Sequence, residues 1–223
     1  MAIAHQNTTS ATGSIDADPS WAHDAGSGAD RFLAIWGKVT FGGGPPNEAI
    51  TGATYNAVPL AEFGAILNTE MKGFYLVAPA TGSNTAVVTF TGNSGRPTIG
   101  VASSYNGVDQ STPYDGYNTA TGSSDTPSVD ITSATGEMVV AAAGSAAVRT
   151  STVGADQDER NITSVTARTI TVSDQAGAAT VTMSNTWSSS TGWETMGISM
   201  NPAAAAGLGI PIASYHYRHH IGA

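Results

Sequence analysis

The chain has 223 residues and a formal net charge of -9, with 8 Lys and Arg residues against 17 Asp and Glu. This balance argues against a nucleic-acid backbone or an anionic membrane surface as the main partner, because both are bound by clustered basic residues. The chain has no cysteine, which excludes disulfides, thiolate chemistry and cysteine zinc sites. Only 11% of the residues are charged, a composition common in extracellular, surface-layer and virion proteins.

The first residues, MAIAHQNTTS, contain neither a basic stretch nor an apolar run of the length of a secretory signal. The chain also lacks a stretch of about 18 apolar residues that could span a bilayer. We therefore expect no membrane partner and no export signal. Residues 1–18 are predicted to form an N-terminal arm.

Apolar residues recur with a period of two much more often than with the helical period, which predicts strands. In RFLAIWGKVTF, residues 31–41, both alternating faces are largely apolar in the first half, which predicts a central strand. KGFYLVAP, TAVVTFTG and RPTIGVASSY follow as strands separated by Gly- and Asn-containing turns. The one helix candidate is AEFGAILNTEM, residues 61–71, which Gly64 weakens.

The second half of the chain has the same strand-and-turn character, and the polar segment NTATGSSDTPS, residues 118–128, is interpreted as a long loop. About a dozen short strands at this spacing predict an all-β fold. We expect a single β-sandwich over residues 19–202, jelly-roll-like, with extended N- and C-terminal arms. No internal repeat of fixed length is convincing, although duplicated four-stranded halves would be compatible with a jelly roll.

Residues 203–223 lack strand alternation and are predicted to be a C-terminal extension that ends in a basic, aromatic cluster. Its H-x-x-H-H spacing could serve a zinc ion, but the segment has no Asp or Glu to act as a base. Tyr and Arg are typical interface anchors, so we favour docking onto a neighbouring subunit over metal binding or an exposed tail. The predicted interface residues are Tyr215, His216, Tyr217, Arg218, His219 and His220.

Two acidic clusters offer oxygen ligands at a spacing that suits calcium. They contain Asp16 with Asp18, and Asp156 with Asp158 and Glu159. Neither completes the helix–loop–helix calcium pattern, and we interpret both as solvated turns. The chain has no G-x-S-x-G elbow, no P-loop and no dinucleotide fingerprint. We therefore predict no catalytic residues, no metal site and no cofactor, and we do not expect an enzyme.

The best ligand-site candidate is the polar loop NGVDQSTPYDG and the tyrosines beside it. Tyrosine rings can stack on sugars, and carboxylate and amide groups can bond their hydroxyls. The alternative interpretation, in which these tyrosines order the loop, is the one we favour. The candidate residues are Tyr105, Asp109, Gln110, Tyr114, Asp115 and Tyr117.

Several segments in order resemble a family of small β-sandwich proteins found in tailed phages and in bacterial genomes. They are DAGSGADRFLAIW, ITGATYNAVPLAEF, GFYLVAPATGSNTAVVTFTG, NGVDQSTPYD, TPSVDITSATGEMVVAAAG and WETMGISMNP. The resemblance covers Trp21 to Pro202 and implies a jelly-roll or related sandwich and a place on a virion surface. It supplies no catalytic residues. The C-terminal extension departs from the family pattern.

These observations predict a decoration or cement protein on the outside of a tailed-phage capsid, assembled in the host cytoplasm and located on the virion surface. The expected partners are the major capsid protein and neighbouring copies of the chain, with no nucleic acid. We expect a homo-oligomer, and a trimer by analogy with capsid three-fold positions. The alternative is a glycan- or host-binding module of a phage tail or fibre. An esterase or glycosidase lacks any positive signal in the sequence.

Overall fold

The structure is a computed structural model, and it describes residues 1–39, 49–66, 70–91 and 96–204. The described residues form seventeen β-strands and no helix, which confirms the all-β prediction. In these ranges no helix is long and apolar enough to cross a membrane. The helix candidate at residues 61–71 contributes a strand over Ala61–Ile66, while residues 67–69 lie outside the described part.

The first half of the chain forms two antiparallel sheets. Its strands are β1 (Ala4–Ser14), β2 (Ser20–Asp24), β3 (Phe32–Val39), β4 (Ala49–Tyr55), β5 (Val58–Pro59), β6 (Ala61–Ile66), β7 (Met71–Val77), β8 (Ser83–Thr91) and β9 (Pro97–Asn106). One sheet has the order β1-β9-β3-β7-β6, and the other has the order β2-β8-β4-β5.

The second half forms two further antiparallel sheets. Its strands are β10 (Tyr114–Ser124), β11 (Ser128–Thr132), β12 (Met138–Ser145), β13 (Ser151–Val153), β14 (Asp158–Val165), β15 (Arg168–Ala176), β16 (Thr180–Trp187) and β17 (Thr191–Met200). Their orders are β10-β17-β12-β15-β14 and β11-β16-β13.

The two halves repeat the same strand order, except that β5 has no counterpart in the three-stranded sheet β11-β16-β13. The five-stranded sheets match when β10 takes the place of β1, β17 that of β9, β12 that of β3, β15 that of β7 and β14 that of β6. The irregularities repeat as well: Gln6 and Asp115 are extra residues at the start of β1 and β10, and Phe63 and Arg160 are extra residues in β6 and β14. The region that we predicted to be one sandwich thus contains two sandwiches that share one topology.

The four sheets stack in four layers, with an apolar core between each neighbouring pair. β3 shows how this works, because its side chains alternate between two cores. Leu33 and Ile35 point into the core of the first sandwich, whereas Phe32 and Trp36 point into the central core between the two five-stranded sheets. This explains why both faces of the segment are apolar, and the structure places β3 at the centre of its sheet as predicted.

Two segments that were predicted to be irregular are strands. Residues 4–14 of the predicted N-terminal arm form β1, which pairs with β9 over its whole length, and most of the predicted loop at residues 118–128 belongs to β10. In β1, the hydroxyls of Thr8, Thr9 and Ser10 all have partners, as Thr8 Oγ1 has in Ser103 Oγ at 2.8 Å. Strands with hydroxyl-lined inner faces lack the apolar alternation on which sequence patterns depend.

The chain ends of the described part are fixed to each other. The N-terminal ammonium of Met1 donates to the Ala203 carbonyl at 2.5 Å, and the Ala203 amide donates to the Gly107 carbonyl at 2.8 Å. Of the predicted C-terminal extension, Ala203 and Ala204 are described. The predicted interface residues, 215–220, lie outside the described residues.

Candidate functional site

The interface between the two sandwiches holds a buried ion pair at its centre. The Lys38 ammonium donates to Glu194 Oε1, and both side chains are nearly inaccessible to solvent. Lys38 extends from β3 of the first sandwich across Gly144 of β12, where a Cβ atom would lie 3.0 Å from the lysine stem. The register makes Gly144 the counterpart of Lys38 in the second sandwich. The glycine therefore makes room for the lysine of the other half.

One edge of this interface is aromatic. Phe63 and Tyr75 of the first sandwich face Tyr114 and Tyr117 of β10, with ring centroids 5.2 Å apart for Tyr75 and Tyr114 and 6.3 Å apart for Phe63 and Tyr117. The Tyr117 ring lies over Gly64, at which a Cβ would come within 2.1 Å of the phenol oxygen. Tyr117 remains 39% exposed. Burial raises the pKa of both Tyr114 and Tyr117.

The opposite edge is ionic. Arg160 binds Asp174 through two hydrogen bonds of 2.8 Å, the fork geometry that makes guanidinium–carboxylate pairs strong. Tyr105 of the first sandwich donates to the same carboxylate at 3.0 Å. Burial raises the pKa of Tyr105 well above its usual value, and Asp174 adds to the shift. Burial, with Arg160 second, lowers the pKa of His5, whose ring meets Tyr105 edge-on.

The two edges use equivalent positions of the two sandwiches but different side chains. Arg160 is the extra residue of β14 as Phe63 is that of β6, and Asp174 pairs with Val140 of β12 as Tyr75 pairs with Ala34 of β3. Phe63 and Tyr75 on the aromatic edge thus occupy the positions that Arg160 and Asp174 occupy on the ionic edge. Each edge joins the two sandwiches, so these residues stabilise the relative position of the halves.

The structure separates the residues of the predicted ligand loop. Tyr105 is fully buried in β9, so it does not share a surface with the others. Asp109 accepts from the Ser111 and Thr112 amides at 2.7 and 2.9 Å, and these bonds lower its pKa. Gln110 donates to the Arg31 and Val108 carbonyls. Both residues order the loop. Tyr114, Asp115 and Tyr117 lie on β10 instead.

A cavity of about 280 Å³ lies beside the start of β10. Three hydrogen bonds hold Glu137 at this cavity: Oε2 accepts from the Ser133 hydroxyl at 3.1 Å, the Ala134 amide at 2.8 Å and the buried Ser199 hydroxyl at 2.7 Å. No spacing in the sequence pairs Glu137 with Asp115, which is the extra residue of the bulge in β10. The lining residues are Asp115, Gly116, Thr132, Ser133, Ala134 and Glu137.

The first sandwich has a larger residue at the position of Gly116. Its counterpart of Gly116 is Asn7, as the registers with Ser199 and Ser104 show. The Asn7 amide group donates to the Asp24 carbonyl at 3.2 Å. At Gly116 a Cβ would lie 2.1 Å from the Thr132 carbonyl oxygen. Only glycine fits there, and no side chain projects from it into the cavity.

The acidic clusters weighed as calcium sites have other contacts. Asp18 accepts from the Phe90 amide at 2.9 Å, and Asp158 accepts from Arg160 at 2.9 Å. Asp156 lies in a turn with a φ of 64°. Within the described ranges, no three His, Cys, Asp or Glu side chains come together in a group that could hold a metal ion.

His23 is a buried polar residue that the sequence analysis did not single out. It is 1% exposed, its Nδ1 meets Thr9 Oγ1 at 2.7 Å, and its Nε2 has no hydrogen-bond partner. Burial lowers its pKa from 6.5 to about 4. The imidazole is therefore neutral at pH 7.

Comparison of the chain with protein-family models, with curated proteins and with solved structures found no match. We therefore infer function from the strand order, the interface chemistry and the exposed side chains.

Proposed function

We propose that the chain is a structural protein of a tailed-phage virion, a decoration protein that binds the outside of the capsid. Its partners in this proposal are the major capsid protein and neighbouring copies of itself. It acts by binding and not by catalysis.

The observation that carries the proposal is the strand order of the two halves. In the first half, β1, β9, β3 and β7 follow one another in one sheet and β2, β8, β4 and β5 in the other. Strands β1 to β4 alternate between the two sheets, as do β7 to β9, and this order supports a jelly-roll assignment. The second half repeats the order except that its smaller sheet, β11-β16-β13, has no counterpart of β5. Jelly rolls recur in viral capsid domains and in lectins. The proposal therefore combines this order with the family resemblance of the sequence.

The use of charge supports a structural role. Lys38 of the first sandwich pairs with Glu194 of the second, and Tyr105 of the first donates to Asp174, which Arg160 binds within the second. The outer face of the sheet with β11 and β16 presents small hydroxyl side chains, as at the exposed Thr180 and Thr182. Faces of this kind suit repeated, shallow contacts, which gain strength when many copies bind one lattice.

The test is the copy number of the chain relative to the major capsid protein, measured by quantitative mass spectrometry on purified virions. A decoration protein should be present in comparable numbers. A few copies per virion would place the chain on the tail, and complete absence would contradict the virion proposal. Sedimentation of the isolated protein measures its oligomeric state, for which the proposal expects a closed homo-oligomer.

The aromatic edge favours a second candidate, a glycan-binding module. Tyr117 is partly exposed beside Tyr114 and Tyr75, and partly exposed tyrosine rings at a sheet edge offer a stacking surface for sugars. If this candidate is right, Tyr114→Ala and Tyr117→Ala each reduce adsorption to host cells or glycans at least tenfold. The matched control is Val148→Ala, which also removes an exposed apolar group. Unchanged adsorption in folded tyrosine variants contradicts glycan binding at this edge.

A further inference from the structure

The buried pair of Lys38 and Glu194 holds an amine and a carboxyl group together where solvent does not reach. Lys38 Nζ contacts Glu194 Oε1, and the two side chains are 1% and 4% exposed. Removing two charges from water is costly, and their mutual attraction offsets this cost only when the geometry is favourable and further hydrogen bonds complete the site. A product without charge would carry no such penalty.

The backbone of β12 confines both side chains. At Gly144 a Cβ atom would lie 3.0 Å from Glu194 Oε1 and 3.0 Å from the Cδ and Cε atoms of Lys38, so both side chains lie directly against this glycine. Lys38 and Glu194 also belong to inner strands of their sheets, β3 and β17. Two groups held in this way can react as if each were present at about 10⁵–10⁸ M, the range for well-oriented intramolecular reactions.

A second carboxyl group, that of Glu70, lies beside the pair. The Glu70 carbonyl accepts from the Val39 amide at 2.9 Å, next to Lys38 in the chain, and the residue is half-buried. Burial raises the pKa of Glu70, and the charge of Glu194 adds to this rise while that of Lys38 opposes it. Glu70 therefore keeps its proton to a higher pH than an exposed glutamate, which suits a group that donates and accepts protons.

We propose that Lys38 and Glu194 condense to an amide between their side chains, an isopeptide bond that joins the two sandwiches covalently, with Glu70 as the proton carrier. The ammonium first transfers a proton to the carboxylate, which gives a neutral amine and a carboxylic acid. The Nζ lone pair attacks Glu194 Cδ and the Nζ–Cδ bond forms. Glu70 then gives a proton to the departing oxygen and takes one from Nζ, while the Cδ–O bond breaks.

The products are one amide and one water, and Glu70 returns to its starting state. The total charge does not change, and the reaction needs no oxidant or reductant. Folding must come first, because Lys38 and Glu194 are 156 positions apart in the chain. The newly folded protein therefore holds the ion pair, and this form is the reference for the stability of the pair. The reaction involves one chain alone, so it does not depend on a place in a virion.

Intact-mass spectrometry of the full-length, folded protein tests the proposal. On incubation the mass should fall by one water, and trypsin should then release residues 32–72 linked to residues 169–218, because an acylated Lys38 is not cleaved. Glu194→Gln should lose one ammonia instead, since nitrogen is then the leaving group. The matched control is Lys72→Met, which removes the pair with the exposed Glu62 and should keep the loss of water.

The role of Glu70 has its own test. Glu70→Gln should slow the loss of water at least about 100-fold, the usual contribution of a positioned proton carrier, and Glu70→Asp, which keeps the acid, should restore part of the rate. Circular dichroism and thermal unfolding show that a variant is folded before its rate is compared. Equal rates in folded Glu70→Gln and in the unchanged protein overturn the assignment of Glu70.

An unchanged mass after prolonged incubation overturns the proposal, and this readout needs no variant to fold. A loss of water that persists in Lys38→Met also overturns it. A succinimide at Asp115 and Gly116 would release water as well, but it would leave residues 32–72 and 169–218 unlinked. A mass loss without the linked fragments therefore contradicts the isopeptide bond.

Discussion

His23 is a neutral, buried imidazole at the fourth position of β2, where the second sandwich has Ile131 at the fourth position of β11. Its pKa is about 4 in the folded protein and 6.5 in the unfolded chain. The unfolded state therefore binds more protons between these values, and stability falls as the pH is lowered from about 6.5 to about 4. The loss from this residue should be about 3 kcal/mol.

Denaturant unfolding measured across this pH range checks the prediction, with His23→Gln as the comparison. The variant should be less sensitive to pH, because its amide does not titrate, and it keeps an acceptor and donors for Thr9. Carboxylates contribute equally to both proteins. The same pH dependence in both would contradict a neutral His23.

Lys38 and Glu194 make a second prediction at the scale of the residue. Both are buried, so Lys38→Met leaves a carboxylate without its counter-charge and should cost about 3–5 kcal/mol of unfolding free energy. Adding Glu194→Leu to that variant should recover most of the loss. Lys72→Met is the control, because its partner Glu62 is 42% exposed, and surface pairs contribute less than about 1 kcal/mol. Equal losses in the single and double variants would contradict the pairing.

At the scale of the element, glycines in β6 and β7 set the distance between the sandwiches. A Cβ at Gly73 would lie 2.1 Å from the Phe63 ring, and one at Gly64 equally close to Tyr117. Gly73→Ala and Gly64→Ala should each destabilise the fold by about 1–3 kcal/mol, because the rings must leave their positions. Gly52→Ala is the control, since no atom lies within 4 Å of its Cβ position. Thermal unfolding of the three variants measures the difference, and three equal changes would contradict the packing role.

The strands with apolar inner faces could be predicted from the sequence, and those with hydroxyl inner faces could not. β3 has apolar residues on both faces because it lies between two cores, and this pattern was sufficient to place it. β1 is rich in Thr, Ser and Gly, and in β10 the side chains that pack against the cores include Tyr114 and Ala120, so neither strand has an apolar residue at every second position. The repeated strand order has one visible counterpart in the sequence: the motif ATGS at residues 11–14 and at residues 120–123, with Pro-Ser following at residues 19–20 and 127–128. A further ATGS at residues 80–83 is not followed by Pro-Ser in this way.

The residues of the candidate site, like the strands, could be predicted only in part from the sequence. Tyr114 and Tyr117 were predicted as neighbours because they are close in sequence, and they do lie on one strand. Tyr105 is as close in sequence to the loop, but the inward side of β9 buries it against Asp174. The sequence does not show which side of a strand faces a second sandwich. Nor does it bring Glu137 to Asp115, which depends on an extra residue in β10.

For the whole molecule, the central core predicts that both sandwiches unfold together. Phe32 and Trp36 from the first half and Val140 and Ile198 from the second belong to one buried cluster. Separating the halves would expose this apolar surface and both ion pairs. We therefore expect one calorimetric transition with equal calorimetric and van't Hoff enthalpies. Two resolved transitions would show that the interface contributes little to stability.

The glycine beneath Lys38 also bears on the ancestry of the chain. If the two halves descend from one ancestral sandwich that formed a homodimer, neither half can form that homodimer now. In a dimer of two copies of the first sandwich, Lys38 would lie against Lys38, and Ile99 would stand at the position of Glu194. In a dimer of two copies of the second sandwich, Gly144 would lie against Gly144, and neither copy of Glu194 would face a lysine. The interface residues of each half therefore complement those of the other half and not those of a second copy of the same half.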